Sequence, residues 1–256
     1  AGPHNLSASM TARKVYVAII AEPLIQVISM DSNEIIANIE TGGGVHNTFV
    51  TPDGRYAVGG MIGASEIIAI DTETDEVLFE TTIPYSQNPF TGGVRPLTFT
   101  VNEDGSTRSM LVNVGGWHGF WEIDWETQEV LNKISPPIDS WDRMDQTADG
   151  IQSAPSHGVV VLPDQSQVWH SSRATSHIYG YSFPDFEYLG RVYIGNPAWI
   201  TTTPDSKHLW VGVSGHNQTA VVDVDTQEVI KRFPVGQAPK RIFTAIMPAD
   251  WEGEAP

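Results

Sequence analysis

A turn phrase returns through this chain about every fifty residues, a period that belongs to repeat architectures and leaves few folds open to it. It reads TPDG at 51–54, EDG at 103–105, LPDQ at 162–165 and TPDS at 203–206. A second kind of turn alternates with it at five places: SMDSNEII (29–36), AIDTETDEV (69–77), EIDWETQEV (122–130), YSFPDFEYL (181–189) and VDVDTQEVI (222–230). Between the turns lie short runs such as YAVGG, EIIAI, HLWVGV and TAVVDV. These are rich in β-branched residues with partial period-2 alternation, and helix-period patterns are absent. Pro-Asp and Asp-Gly supply the hairpin chemistry between strands. Repeated units of four short strands predict a β-propeller.

With the strands of a unit written A (inner) to D (outer), the chain begins with B, C and D strands at 14–20, 24–30 and 34–40. Complete units follow at 45–83, 95–134, 157–194 and 199–235. The segment KRIFTAIMP (240–248) is predicted to be a lone A strand. Docked beside the N-terminal B, C and D strands, it would close the ring and remove its open edges. The expectation is an all-β, five-bladed β-propeller of four-stranded antiparallel blades, closed by its C-terminal strand. At 256 residues the chain suits a single domain, 1–256, with tails at 1–12 and 249–256.

The stretch VYVAII followed by LIQVISMDSNEIIANIETGGGVHNTFVTPDGRYAVGG (24–60) resembles the YVTN-type β-propeller repeat of YncE-like and surface-layer proteins. That superfamily extends to nitrous oxide reductase and cytochrome d1-type propellers. The resemblance implies the architecture over nearly the whole chain. It leaves the activity open, because such propellers include lactonases, lyases, redox enzymes and adhesive repeats.

The chain contains no cysteine, which removes disulfides, thiol nucleophiles, Fe–S clusters and thiolate zinc sites together. The expectation is an extracytoplasmic protein, periplasmic or secreted, with its signal peptide removed. A formal charge of −17 argues against nucleic acid as a partner. The longest apolar stretch, VYVAIIAEPLI (15–25), is broken by Glu22 and Pro23 and is too short for membrane insertion.

Counting from each turn sorts the polar residues by face. In a propeller the D-to-A connections and B–C loops surround the channel mouth. His46 and His157 fall at equivalent places, six residues before Pro52 and Pro163. Arg95, Trp199, and Lys240 with Arg241 take the same station in the other units. His118, His177 and His216 lie in or beside B–C loops, with His170 in a strand leading to one; His4 and His208 fall elsewhere. Neutral imidazoles converging without thiolates suit copper, zinc or iron. His46, His118, His157, His216 and His170 are therefore the candidate ligands of a transition metal. His46, His157, Arg95 and Lys240 are the candidate catalytic groups. Arg95, Trp117, Trp199, Lys240 and Arg241 are placed to bind a small anionic or polar molecule drawn to a cationic mouth. The long connection 135–156, with Asp139, Trp141, Asp142, Arg143 and Asp145, would serve as a lid. The acids recurring once per unit, Asp53, Asp71, Asp124, Asp164, Asp205 and Asp223, read as turn formers.

The expected function is redox or lyase chemistry at this mouth. One alternative is a metal-free His/Arg acid–base lyase or hydrolase. The other is a non-catalytic ligand-binding or protein-interaction scaffold.

Overall fold

A computed structural model describes residues 2–62, 64–83, 93–137 and 154–247. Among these the chain is all-β, with five four-stranded antiparallel sheets, each built from four consecutive strands. The first sheet holds β1 (Pro3–Ser9), β2 (Lys14–Ile19), β3 (Leu24–Ser29) and β4 (Ile35–Glu40). The second holds β5 (Val45–Val50), β6 (Tyr56–Met61), β7 (Glu66–Asp71) and β8 (Val77–Thr82). The third holds β9 (Val94–Val101), β10 (Thr107–Val114), β11 (Phe120–Asp124) and β12 (Val130–Ile134). In the fourth are β13 (Ser156–Val161), β14 (Gln167–Ser172), β15 (His177–Ser182) and β16 (Tyr188–Tyr193). The fifth consists of β17 (Pro197–Thr202), β18 (His208–Val213), β19 (Gln218–Asp223) and β20 (Glu228–Pro234).

The middle strands carry most of the core because each sheet packs face to face against its neighbours in the series. Tyr16, Ile25 and Val27 of the first sheet meet Ile68 and Ile70 of the second. Val58, Ile67 and Ala69 of the second meet Met110, Trp121 and Trp125 of the third. Leu111 and Phe120 then meet Val159, Val168 and Tyr179, and Trp169 and Ile178 meet Leu209, Val211 and Ala220. The fourth strand of each sheet is largely exposed, with Leu78, Leu131, Leu189 and Ile230 reaching solvent. The repeated acids do build the turns. The Oδ1 atoms of Asp71, Asp124 and Asp223 accept backbone N–H bonds from Thr74, Thr127 and Thr226 at 3.0, 2.8 and 2.8 Å. Those of Asp53, Asp164 and Asp205 accept from Arg55, Ser166 and Lys207 at 3.1, 3.0 and 3.1 Å.

Ring closure by the C-terminal strand is where the structure departs from the sequence expectation. The inner strand of the first sheet is β1, paired with β2 from Pro3↔Ile19 to Ser9↔Lys14. The edge of β2 reserved for KRIFTAIMP is thus already occupied. Among the described residues, 235–247 form no strand, no sheet joins the N-terminal to the C-terminal strands, and the five sheets are not closed into a ring. β1 lies within the segment expected to be a tail, because its buried positions are polar. Asn5 accepts the Thr48 N–H at 3.0 Å, and Ser9 Oγ donates to the Gly54 carbonyl at 2.7 Å. Its apolar Leu6 faces out, 58 % exposed. The hydrophobic alternation that marks the other strands is therefore inverted here.

The C-terminal segment instead runs along the fifth sheet towards the first. Ser214 Oγ donates to the Pro239 carbonyl at 2.7 Å, Thr244 Oγ1 to the Thr202 carbonyl at 2.7 Å, and Phe243 packs 5.7 Å from Trp199. Side-chain bonds take the place of a ladder. Among the described residues, no helix is long and apolar enough to cross a membrane.

Candidate functional site

Every inner strand loses one residue of register at the same station. The irregularities lie between Pro3 and Asn5, Val45 and Asn47, Val94 and Leu97, Ser156 and Val159, and Pro197 and Ile200. The residues released there are His4, His46, Arg95 with Pro96, His157 with Gly158, and Ala198 with Trp199. A bulge turns a side chain out of the ladder, and here five bulges turn theirs towards one central space.

The result is a compact constellation. The His4 and His46 rings are 4.5 Å apart, His46 and His157 5.6 Å, and His157 and Trp199 5.9 Å. The Arg241 guanidinium stands 5.6 Å over Trp199, and its Nη2 lies 3.0 Å from Nε2 of His4. Since arginine can only donate, Nε2 of His4 accepts, while its Nδ1–H donates to the His46 carbonyl at 2.6 Å. His46 Nδ1 accepts from the Asn47 amide, which leaves the His46 proton on Nε2.

Burial comes first in setting the protonation states. It pushes His157 down to about 3, with Arg173, Arg95 and Lys240 acting in the same direction. His46 is held far below its ordinary value by burial, then by His157, Arg95, His4 and Arg241. Burial also lowers His4, opposed by its bond to the His46 carbonyl, with Arg241, Lys240 and Arg95 lowering it further. Arg95 is itself desolvated to about 10, helped by Arg173, and stays charged at neutral pH. At neutral pH the centre is three neutral imidazoles among arginines and a lysine.

The structure therefore brings together His46, His157, Arg95, Trp199, Lys240 and Arg241. His4 joins them, although its place in the sequence pointed elsewhere. The signal for it was present: Gly2-Pro3-His4-Asn5 repeats as Gly44-Val45-His46-Asn47. His118 and His170 form a separate pair between the third and fourth sheets, 6.1 Å apart. His118 Nε2 pairs with Ser172 Oγ at 2.7 Å, and His170 Nε2 with Ser156 Oγ at 3.0 Å. His216 stands apart, exposed in a 3-10 turn, Ser214–His216. Trp117 donates its Nε1–H to the Ile134 carbonyl at 3.3 Å and packs edge-on to Trp121 at 5.8 Å, which makes it part of the third sheet's packing. The five candidate ligands are thus divided, and no group of three or more His, Asp or Glu among the described residues is placed to hold a metal ion. Most of the 135–156 connection, including Asp139, Trp141, Asp142, Arg143 and Asp145, lies outside the described residues.

The buried histidines make stability depend on pH, with a definite sign. Each imidazole binds a proton less readily folded than unfolded, so stability is full above pH 6.5 and falls as pH drops towards the folded value. For His157 that window runs from 6.5 down to about 3. At pH 5 the loss is on the order of 2 kcal/mol for each of His46 and His157, and His170, lowered by burial and then by His118, adds to it in the same direction. Urea melts at pH 7.5 and pH 5 should show it as a lower midpoint at pH 5; an unchanged midpoint would mean that these rings are not buried.

The sequence matches no protein-family model, and no curated protein is similar to it. Solved structures do resemble it. Kuenenia stuttgartiensis hydrazine synthase aligns over 93 % of this chain and 76 % of its own, at TM-score 0.69 and 16 % identity. The β-propeller domain of Cps50 (Swd1) from Myceliophthora thermophila aligns over 88 % of this chain and 66 % of its own, at TM-score 0.67 and 9 % identity. The likeness is one of fold. It supports a propeller-like arrangement of sheets distantly related to known propellers, and does not establish membership of the YVTN repeat family.

Proposed function

We propose that the centre binds a small organic anion and performs acid–base chemistry on it without a metal. Arg95, Arg173, Arg241 and Lys240 supply the charge that holds the anion, and His46 and His157 move protons. The observation that carries this reading is the company the imidazoles keep. Apart from the imidazoles themselves, the charged groups among the described residues that act on His46 and His157 are all cations. A divalent metal ion would be repelled by the same arginines that attract a carboxylate. His157 is neutral and so has a lone pair for a proton, and an anion bound at the arginines would raise the low proton affinity that burial and the cations give it. The same arginines would stabilise negative charge developing on a carbon beside a carboxylate. His46, once protonated beside the bound anion, would be the complementary donor through its Nε2–H. A lyase or hydrolase follows from that division of roles, and the acidic remainder of the protein would focus anions onto this one cationic spot.

Calorimetric titration with malonate and sulfate tests the reading, alongside elemental analysis of untagged protein. One anion should bind per chain, held by the arginines and the lysine. Transition metal should stay below about 0.1 equivalent, as expected without a preformed ligand set. Stoichiometric metal that survives dialysis, or no binding of either anion at millimolar concentration, would overturn it.

A further inference from the structure

A groove of about 930 Å³ lies between β1 and the C-terminal segment, and it shares lining residues with the anion centre. That volume falls within the usual range for small-molecule sites. Its wall is apolar: Leu6, Val17, Phe49, Val50 and Phe243 line it. Two of its lining residues are different in kind, His4 and Arg241. Both belong to the centre as well, through the His4–His46 contact at 4.5 Å and the position of Arg241 over Trp199. Phe49 stacks on Trp199 at 6.1 Å with an interplanar angle of 15°, and Phe243 lies on the same indole at 5.7 Å. Phe49 and Phe243, which line the groove, thus lie on one aromatic cluster with Trp199 beside Arg241. Leu6, at 58 % exposed, is a large apolar side chain with unused surface.

We infer that the groove binds the body of an aryl carboxylate whose acid group reaches the Arg241 guanidinium. This rests on the anion-binding reading above and names its ligand class: a monocarboxylate with a flat apolar body, not a small hydrophilic anion. Charge complementarity fixes the orientation. The carboxylate belongs at the guanidinium, where a charge-assisted bond forms, and the ring belongs against Phe243 and Leu6.

Cinnamate, cinnamyl alcohol and acetate serve as probes, with malonate reporting on the centre. By calorimetry, cinnamate is expected to bind at least about tenfold more tightly than acetate, since burying a phenyl ring is worth that much or more. It should also displace malonate, and cinnamyl alcohol, lacking the charge, should not. Leu6→Asn should cut the cinnamate-to-acetate affinity ratio to below about threefold by removing apolar contact. If malonate binds but cinnamate is no tighter than acetate, the groove assignment is wrong and the anion centre stands. If the ratio survives Leu6→Asn, the ring binds elsewhere and the assignment is equally wrong. If malonate does not bind, the centre fails and the groove fails with it.

Discussion

Arg95→Met is expected to weaken malonate binding by about 10- to 100-fold, the worth of one charge-assisted hydrogen bond in a buried site. Arg95 is only 6 % exposed, and it acts electrostatically on His4, His46 and His157 together. Methionine keeps much of the unbranched side-chain volume and removes the charge. Arg95→Lys should recover only part of the affinity, because an ammonium cannot offer the bidentate fork of a guanidinium. Titration calorimetry reads both variants, and circular dichroism establishes that each is folded. A second effect separates a direct role from a general one. With one cation gone, His46 and His157 should protonate at a higher pH than before, so the acid loss of stability should become shallower. Unchanged affinity in a folded Arg95→Met protein would remove Arg95 from the site.

The largest effect on stability is expected at Gly119, in the loop between β10 and β11. Its φ is +129°, and a Cβ built there would lie 1.9 Å from the Ile134 carbonyl oxygen and 2.9 Å from the Ile134 carbonyl carbon. Both are backbone atoms and cannot swing aside. The residue is also held from both ends. Its N–H donates to Ser156 Oγ at 2.8 Å, and its carbonyl accepts from Asn113 Nδ2 at 2.9 Å. Ser156 in turn pairs with His170 and immediately precedes His157. Gly119→Ala should therefore cost about 3 kcal/mol or more and lower Tm by roughly 6–12 °C. Gly105→Ala is the comparison: φ is +83° there too, but nothing lies within 4 Å of the new methyl group. That change should cost about 1 kcal/mol, the conformational preference alone. Equal losses for the two variants in thermal melts would show that the Ile134 contact is not as close as described.

Much of the fold was legible in the sequence because its signals were local. The units written as 45–83, 95–134, 157–194 and 199–235 correspond to sheets spanning Val45–Thr82, Val94–Ile134, Ser156–Tyr193 and Pro197–Pro234. Asp turns and β-branched runs mark those strands without reference to anything distant. The chain ends were misread because they depend on competition for one strand edge. KRIFTAIMP has the composition of a strand, yet β1, poor in β-branched residues, takes the edge of β2 through polar contacts to the second sheet. The site was legible as a station in the repeat, which is why Arg95, His46, His157 and Trp199 could be named together. What the repeat could not say was which loop residues also reach that station. His118 and His170 lie near the same end of their sheets but point into the seam between the third and fourth, a matter of packing rather than spacing.

The five bulges have a consequence for how such a protein can change. A residue released from the ladder has no cross-strand partner whose size and charge it must match, so its identity is nearly independent of the pairing around it. Each inner strand thus carries one position where chemistry can be rewritten by a single codon while the sheet remains intact. In this chain those positions hold three histidines, an arginine and a tryptophan. The same frame could carry another set, and a new specificity would need only a handful of substitutions at positions outside the strand pairing.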